Sequence, residues 1–412
     1  MPPQQSADQP PTQRCGIDSV EIARIARLLD ETPADDLLKL FSACELEEAG
    51  QGAGRAASLA ARFAAKEACL KLFPRETTLG IIEASDFSVA RDGYGAPQLV
   101  PGPAACDVLE RHRIGSISLS LTHDRLSASA VALAVPARTE APLLGRLLYR
   151  FLPLRRKVVL ENLQRVYADV PQDEIVRLAE AHYAHLGRLA WEFVYFSWLS
   201  KARRAAMVRV ENIEAVERAR SLGKGVCVLT GHFGNFEVST VAGISNFPDL
   251  PCKFYFVRRP LKPKWLEQRV NRRFTEAGFG VLPKRGALDA ILERLQNGDI
   301  VVFPFDQHAE RSDGVRVDFF GHSAGTFRSL ALIAQAAGAP VVPASSWRET
   351  SGRHVLRFEE ALEPIHCDDV GEEIRRNTRA YNAALERLIL RRPAQWWWVH
   401  RRWKPWPERH RR

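Results

Sequence analysis

Nowhere in its 412 residues does this chain hold an uninterrupted apolar run of about 18 residues, so no transmembrane helix is expected. It contains no C-x2-C pair either. The seven cysteines, at 15, 44, 69, 106, 227, 252 and 367, are odd in number, a usage that favours a reducing cytosol. Zinc-ligand spacing, an RNA-recognition aromatic pattern and a helix-turn-helix signature are all missing. The formal net charge of +9 is therefore not read as a nucleic-acid footprint. Residues 1–14 are polar and Pro-rich, unlike a signal peptide, and are expected to be disordered. Internal repeats and low-complexity tracts are absent.

What is present is divided unevenly. The length exceeds one ordinary core, so at least two domains are expected. Residues 1–136 carry 13 Lys and Arg against 18 Asp and Glu, net −5, and residues 137–412 carry 45 against 31, net +14. The basic surface of the second part suits anionic lipid or an acidic protein. A polar, proline-bounded join at 137–142 separates an α+β pattern over 15–136 from an α/β layered-sheet pattern over 143–412. The first part reads as a helix over 20–29, a long helix over 56–72, and strands near 81–89, 117–121 and 127–135. In the second, helices over 172–198, 213–221, 263–277, 287–296, 326–337 and 372–390 interleave with strands over 226–230, 254–257, 300–305, 341–344 and 355–358.

The densest chemistry lies in Leu229-Thr230-Gly231-His232-Phe233-Gly234-Asn235-Phe236-Glu237. On a regular helix His232 and Glu237 would stand about 140° apart, so they meet only if the backbone breaks between them. Gly234-Asn235 supplies a break, and Asn235 is a good N-cap for the helix that follows. A histidine at such a strand-to-helix junction, oriented by a carboxylate, can take a proton from an attacking hydroxyl or amine. Further along are Phe256-Val257-Arg258-Arg259-Pro260, Phe303-Pro304-Phe305-Asp306-Gln307, Asp318-Phe319-Phe320-Gly321, and a Trp-rich stretch from Pro393 to Lys404. Arg258 suits an oxyanion or a lipid phosphate, or reads with Arg259 as a solvated surface doublet, and Asp306 follows an apolar strand, where sites collect in open parallel sheets, or serves as a cap or turn residue. The five blocks, in this order over roughly 145–405, resemble the lipid A biosynthesis (lauroyl/myristoyl) acyltransferases of the lysophospholipid acyltransferase superfamily. The resemblance implies a glycerolipid-acyltransferase-type fold, His232 as general base, Glu237 as its orienting acid, Arg258 and Asp306 as substrate-binding residues, and an acyl thioester of acyl carrier protein or coenzyme A as donor.

The first part carries Gly16-Ile17-Asp18, then Arg62-Phe63-Ala64-Ala65-Lys66-Glu67 with Lys71 on the same helix, then Ser120-Leu121-Thr122-His123. Asp18 and Glu67, beside Arg62, Lys66 and Lys71, suggest a Mg²⁺ site next to a polyphosphate, since Mg²⁺ prefers one or two carboxylates plus phosphate oxygens. The same residues also read as a charged solvent face with helix salt bridges. The pattern over about 15–135 is similar to the phosphopantetheinyl transferase superfamily, of the holo-acyl-carrier-protein synthase type. That resemblance implies transfer of phosphopantetheine from coenzyme A to a serine of an acyl carrier protein. Asp18 and Glu67 would hold Mg²⁺, with Glu67, Lys66 and His123 catalytic, Arg62 and Lys71 on phosphate, and Arg24 receiving the carrier. It also implies a homotrimer through the first module. Thr122 departs from the usual serine, and net −5 departs from the usual basic surface.

The expectation is therefore a bifunctional enzyme, cytoplasmic and peripheral on the cytoplasmic face of the inner membrane, acylating a lipid or glycolipid acceptor. The alternative is a phosphopantetheinyl transferase anchored by a non-catalytic lipid-binding module. Residues 143–154 read either as a membrane-surface segment or as an amphipathic helix packed on its own domain, and the C-terminal tryptophans either as headgroup-layer aromatics or as core plugs.

Overall fold

The computed structural model describes residues 14–74, 82–152, 154–244, 253–258, 263–276, 278–283 and 286–405. It divides into two compact units, residues 1–139 with 167–175, and 140–166 with 176–412. Segment 167–175, which its sequence position assigns to the second part, groups with the first for a physical reason. Glu174 accepts from the Arg113 guanidinium at 2.9 Å and from the Thr139 backbone N–H at 2.8 Å.

In the first unit β1 (Cys15–Glu21) leads into α1 (Ile22–Glu31), α2 (Ala34–Leu40), α3 (Ala43–Glu48) and the long α4 (Arg55–Leu70). Then come β2 (Phe87–Arg91), β3 (Pro97–Pro101), α5 (Pro103–Arg111), β4 (Ile114–His123) and β5 (Ser127–Pro136). The strands form an antiparallel sheet in the order β1-β5-β4-β3-β2. Helix α4 is rich in alanine, the best helix former, and its small side chains let it lie close on the sheet. Ala60, Ala64, Ala65 and Ala68 are fully buried there, facing the alternate alanines 128, 130, 132 and 134 of β5. The closest approach is at Gly16, where a Cβ would lie 2.0 Å from the Ala68 carbonyl oxygen. We expect Gly16→Ala to cost about 3 kcal/mol or more, read as a drop in unfolding free energy, because the obstacle is backbone that cannot rotate away. Strand β3 lies between β4 and β2, and the prolines at both its ends hide it in the sequence.

The second unit opens with α6 (Leu143–Phe151), α7 (Arg156–Val166), α8 (Gln172–Tyr195) and α9 (Lys201–Ala206). Alternating elements follow: β6 (Val208–Glu211), α10 (Ile213–Arg220), β7 (Val226–Thr230), α11 (Phe236–Ile244), β8 (Phe254–Arg258), α12 (Lys264–Glu276), β9 (Gly280–Pro283), α13 (Leu288–Gln296) and β10 (Ile300–Pro304). The hairpin β11 (Gly314–Phe319) and β12 (His322–Phe327) precedes α14 (Ser329–Ala337), β13 (Val341–Arg348), β14 (His354–Phe358) and α15 (Val370–Arg391). Among the described residues the main sheet has seven strands in the order β6-β14-β13-β7-β10-β8-β9. Strands β13, β7, β10, β8 and β9 run parallel, and β14 is antiparallel to β13.

Continuous apolar runs place β7 and β10 at the centre, buried on both faces. Val226, Val228 and Val302 join one core cluster, and Cys227, Leu229, Val301 and Phe303 the other. Thr230 pairs with Pro304 at the carboxyl ends, so the loops carrying residues 232 and 306 leave the sheet side by side. The hairpin was missed in the sequence: residues 326–327 finish β12, and the helix expected from 326 starts at Ser329. Trp396 and Trp398 are buried core plugs. Helix α6 leaves Leu143, Leu144, Leu147 and Phe151 exposed. Among the described residues no helix is long and apolar enough to cross a membrane.

Candidate active sites

His232 stands where β7 gives way to α11. Asn235 caps that helix, its Oδ1 accepting from the Val238 N–H at 3.1 Å, as the Gly-Asn pair suggested. Gly234 adopts φ +50°, and a Cβ there would press within 2.8 Å of the Ser346 carbonyl, so the tight turn requires glycine. Within the turn His232 Nδ1 lies 2.8 Å from Asp306 Oδ1, and the His232 backbone N–H donates to Asp306 Oδ2 at 2.7 Å. Trp396 Nε1 donates to the same oxygen at 2.9 Å.

The acid on the imidazole is thus Asp306, 74 positions away in sequence and adjacent in the sheet. Glu237, expected in that role, contributes backbone to α11, and its side chain lies outside the described residues, as does that of Arg258. Asp306 is 2% exposed and its oxygens are occupied by these donors, which removes it from direct substrate contact. Burial alone would raise its pKa, but the charge and hydrogen bonds of His232 bring it down to about 2. For His232 burial favours the neutral ring, and Asp306 outweighs it, raising the pKa above the usual imidazole value. With Nδ1–H donated to Asp306, Nε2 is left as the basic nitrogen. His400, nearby, is held neutral by burial, its pKa down at about 4.

A buried charge network braces this turn, and no short motif in the sequence signals it. Glu192 on α8 accepts from Asn235 Nδ2 at 2.9 Å and from both Nε and Nη2 of Arg348, with His354 at 3.4 Å. Burial pushes the Glu192 carboxyl up, but His354, Arg348 and Asn235 hold it at about 2. Arg348 also exchanges backbone bonds with the Gln395 side chain, and the Gln395 carbonyl accepts from the Gly234 N–H at 2.9 Å. We expect Glu192→Ala to destabilise the second unit by roughly 3–5 kcal/mol, since it strands a buried guanidinium, and Glu192→Gln to cost less; chemical denaturation measures both.

His232 also lines a cavity of about 1060 Å³. Its walls are largely hydrocarbon and aromatic, including Phe236, Phe254, Phe256, Phe274, Val302 and Leu330, with Thr230, Gln307 and Arg328 among the polar members. A long alkyl chain suits such a wall, and the basic nitrogen beside it suits proton abstraction from an acyl acceptor.

In the first unit the contact at Gly16 sets Asp18 against the end of α4. Lys71 Nζ donates to Asp18 Oδ1 at 2.7 Å and to the Ile17 carbonyl at 2.9 Å. The Glu67 carboxyl is pushed up by burial and by the negative charge of Asp18, against the pull of Lys71 and Arg24. Asp18, Glu67, Lys71 and Arg24 therefore form one electrostatic group.

Arg62 and Lys66 do not join it. Arg62 is 4% exposed and donates to the Val89 carbonyl, Ser58 and Glu48. Lys66 is fully buried, with Glu45 at 2.8 Å and the carbonyls of Ala84 and Phe87 at 3.1 Å. Both face the interior side of α4 and are held there by Glu48, Glu45 and backbone carbonyls, where the expectation had put Arg62 on phosphate and made Lys66 catalytic. Glu45, the capping-box residue of α3, is the partner that sequence reasoning overlooked. His123 ends β4 exposed, on the sheet face shared with Asp18 but two strands away, roughly 10 Å or more at the usual strand spacing. It is not brought to Asp18 and Glu67 within one unit.

Residues 133–405 match the family model of bacterial lipid A biosynthesis acyltransferases. Residues 14–131 match the 4'-phosphopantetheinyl transferase superfamily. A holo-[acyl-carrier-protein] synthase of Syntrophus aciditrophicus is 37% identical over 118 residues, 29% of this chain and 91% of the relative. The chain belongs to both families. The lipid A biosynthesis lauroyltransferase of Escherichia coli is 23% identical to it over 270 residues, 64% of this chain and 84% of that one. Among solved structures, the holo-[acyl-carrier-protein] synthase of Neisseria meningitidis is 29% identical, covering 29% of this chain and 96% of its own, with a TM-score of 0.27. That of Helicobacter pylori, in complex with coenzyme A, is 27% identical over 29% of this chain and 99% of its own, with a TM-score of 0.25. The protein is a holo-acyl-carrier-protein synthase fused to an acyltransferase. In the structure Asp18, Glu67 and Lys71 lie together in the first unit, and His232 and Asp306 in the second.

Proposed function

We propose that both centres turn over: the synthase domain transfers phosphopantetheine from coenzyme A to a serine of an acyl carrier protein, and the acyltransferase domain moves an acyl chain from a thioester to a lipid or glycolipid hydroxyl or amine. The observation that carries the second half is the 2.8 Å contact between His232 Nδ1 and a buried Asp306 in the wall of an apolar cavity. His232 Nε2 removes the acceptor proton as the acceptor attacks the thioester carbonyl. The C–S bond then breaks, and the proton returns to the leaving thiol. Asp306 keeps the ring in the correct tautomer and stabilises the imidazolium.

In the synthase domain a carrier serine oxygen bonds to the phosphorus that bears the pantetheine arm, and the pyrophosphate P–O bond breaks to release the nucleotide bisphosphate. Burial and then the negative charge of Asp18 lift the Glu67 pKa, and two carboxylates so placed fit a divalent cation. Asp18 and Glu67 would hold Mg²⁺, which supplies charge neutralisation at the pyrophosphate. Lys71 would meet a phosphate oxygen, and Arg24 the acidic carrier. Ile17, Val131 and Val135, exposed on the sheet face turned away from α4, favour a homotrimer that completes the site between subunits. Leu143, Leu147, Phe151, Trp191 and Trp198, all exposed, favour peripheral binding to an anionic membrane on its cytoplasmic face.

The test is one incubation of the intact protein with apo carrier, coenzyme A, Mg²⁺, an acyl thioester of carrier or of coenzyme A, and an extracted lipid pool, read by mass spectrometry. Holo carrier and an acylated lipid should both appear. Holo carrier alone, whatever acyl thioester is supplied, would leave the acyltransferase domain as a lipid-binding anchor.

A further inference from the structure

Two stretches singled out in the sequence, Asp318-Phe319-Phe320-Gly321 and Trp403-Lys404, contribute no group to either catalytic centre, yet the fold brings them together. The β11/β12 hairpin reverses at Phe320 and Gly321, with φ of 56° and 76°. That reversal sets Arg316 beside Ser323, and Arg316 Nε donates to Ser323 Oγ at 2.6 Å. His322 Nε2 lies 3.0 Å from the Arg165 carbonyl at the end of α7. The Arg165 guanidinium packs 5.5 Å from the centre of the Trp403 ring, and Trp403 Nε1 donates to the Phe319 carbonyl at 3.2 Å. Arg165, Arg316, His322, Ser323, Trp403 and Lys404 line a cavity of about 310 Å³ that shares no residue with the acyl cavity.

The charge around it is unbalanced. Against the cations of Arg165, Arg316 and Lys404 stands Glu310, 4.0 Å from Lys404 and 69% exposed. Among the described residues neither arginine is ion-paired with a carboxylate. Behind Gly325, also in the cavity wall, the fully buried Arg402 donates to the Gly325 carbonyl at 2.6 Å and fixes that strand. Two guanidiniums in one cavity wall, one held by a hydroxyl and one by an indole face, supply the forked donors that phosphate oxygens accept. The surplus of about two charges matches a phosphate monoester dianion better than a single carboxylate.

We propose that this cavity is a phosphate-binding site separate from both catalytic centres, taking a phosphate monoester that is either free or carried on a lipid headgroup. It stands independently of the acyl-transfer reading. The test uses the full chain at low ionic strength. Calorimetric titration with inorganic phosphate should show a component that Arg316→Glu weakens at least tenfold, that Lys404→Gln also weakens, and that Arg218→Glu leaves unchanged. Arg316 is exposed, so its replacement spares the core. Vesicles of phosphatidylcholine with phosphatidic acid, a monoester, are compared with vesicles carrying equal charge as phosphatidylglycerol, a diester. Arg316-dependent preference for the monoester vesicles identifies the lipid source, and Arg316-dependent phosphate binding without that preference identifies the free one. Phosphate binding that is absent or indifferent to Arg316 and Lys404, together with equal capture by both vesicles, overturns the proposal. His232→Ala should bind phosphate normally, which keeps this outcome distinct from any failure of acyl transfer.

Discussion

Asp306→Asn will lower acyl transfer by roughly 10³–10⁴-fold, with synthase activity unchanged, the scale seen when the acid behind a catalytic imidazole is replaced by its amide. The amide offers Nδ2–H where the carboxylate offered an oxygen, so the ring is pushed toward the tautomer whose Nε2 carries the proton and cannot act as a base. The pH profile sharpens the prediction. His232 must be neutral to accept a proton, and Asp306 raises its pKa above the usual value of 6.5, so kcat/KM of the intact enzyme should rise with pH through an inflection above that value. In the amide variant the raising influence is gone and burial remains, so the small residual activity should inflect at lower pH. An Asp306→Asn enzyme with full activity would remove the dyad from the mechanism. A Glu237→Gln variant measured alongside shows whether that residue, in the same turn, adds anything to it.

Glu67→Ala will cut carrier modification by roughly 10²–10³-fold while acyl transfer from a preformed acyl thioester continues, as expected for loss of one preorganised charge-stabilising group. The residue is half-buried beside Asp18, and burial together with the negative charge of Asp18 raises its pKa. Asp18→Asn should produce a similar loss and a weaker dependence on added Mg²⁺. Lys66→Ala separates site from scaffold. It would leave Glu45 as a buried unpaired carboxylate and so lower the unfolding free energy by roughly 3–5 kcal/mol. Its effect on activity should follow the fraction of protein folded. If Lys66→Ala stays fully folded and loses only turnover, Lys66 belongs to the chemistry.

How far the sequence could be read depended on the range of each interaction. The His232 turn was legible because its determinants are local: an apolar strand, a glycine at positive φ and an asparagine cap within ten residues. The carboxylate on Nδ1, Asp306, was not legible as such for the complementary reason. Asp306 reaches His232 through the pairing of β7 with β10, and pairing between distant strands leaves no trace in spacing. Arg62 and Lys66 misled because charge on an alanine-rich helix usually marks a solvent face, whereas here α4 is buried on most sides and its cations are satisfied by Glu48, Glu45 and backbone carbonyls. The hairpin at 314–327 was hidden because its short strands are half polar and its reversal is built from Phe320, a residue that seldom adopts positive φ.

Trp396 donates to the acid behind His232, and its neighbour Gln395 holds Gly234. The acyl-transfer centre therefore cannot exist on a ribosome that has not yet released residue 396. Positions 18, 67 and 71, by contrast, emerge early and belong to a unit whose five strands are all made by residue 136 and which residues 167–175 complete. A nascent or truncated polypeptide would thus arm carriers before it could spend them.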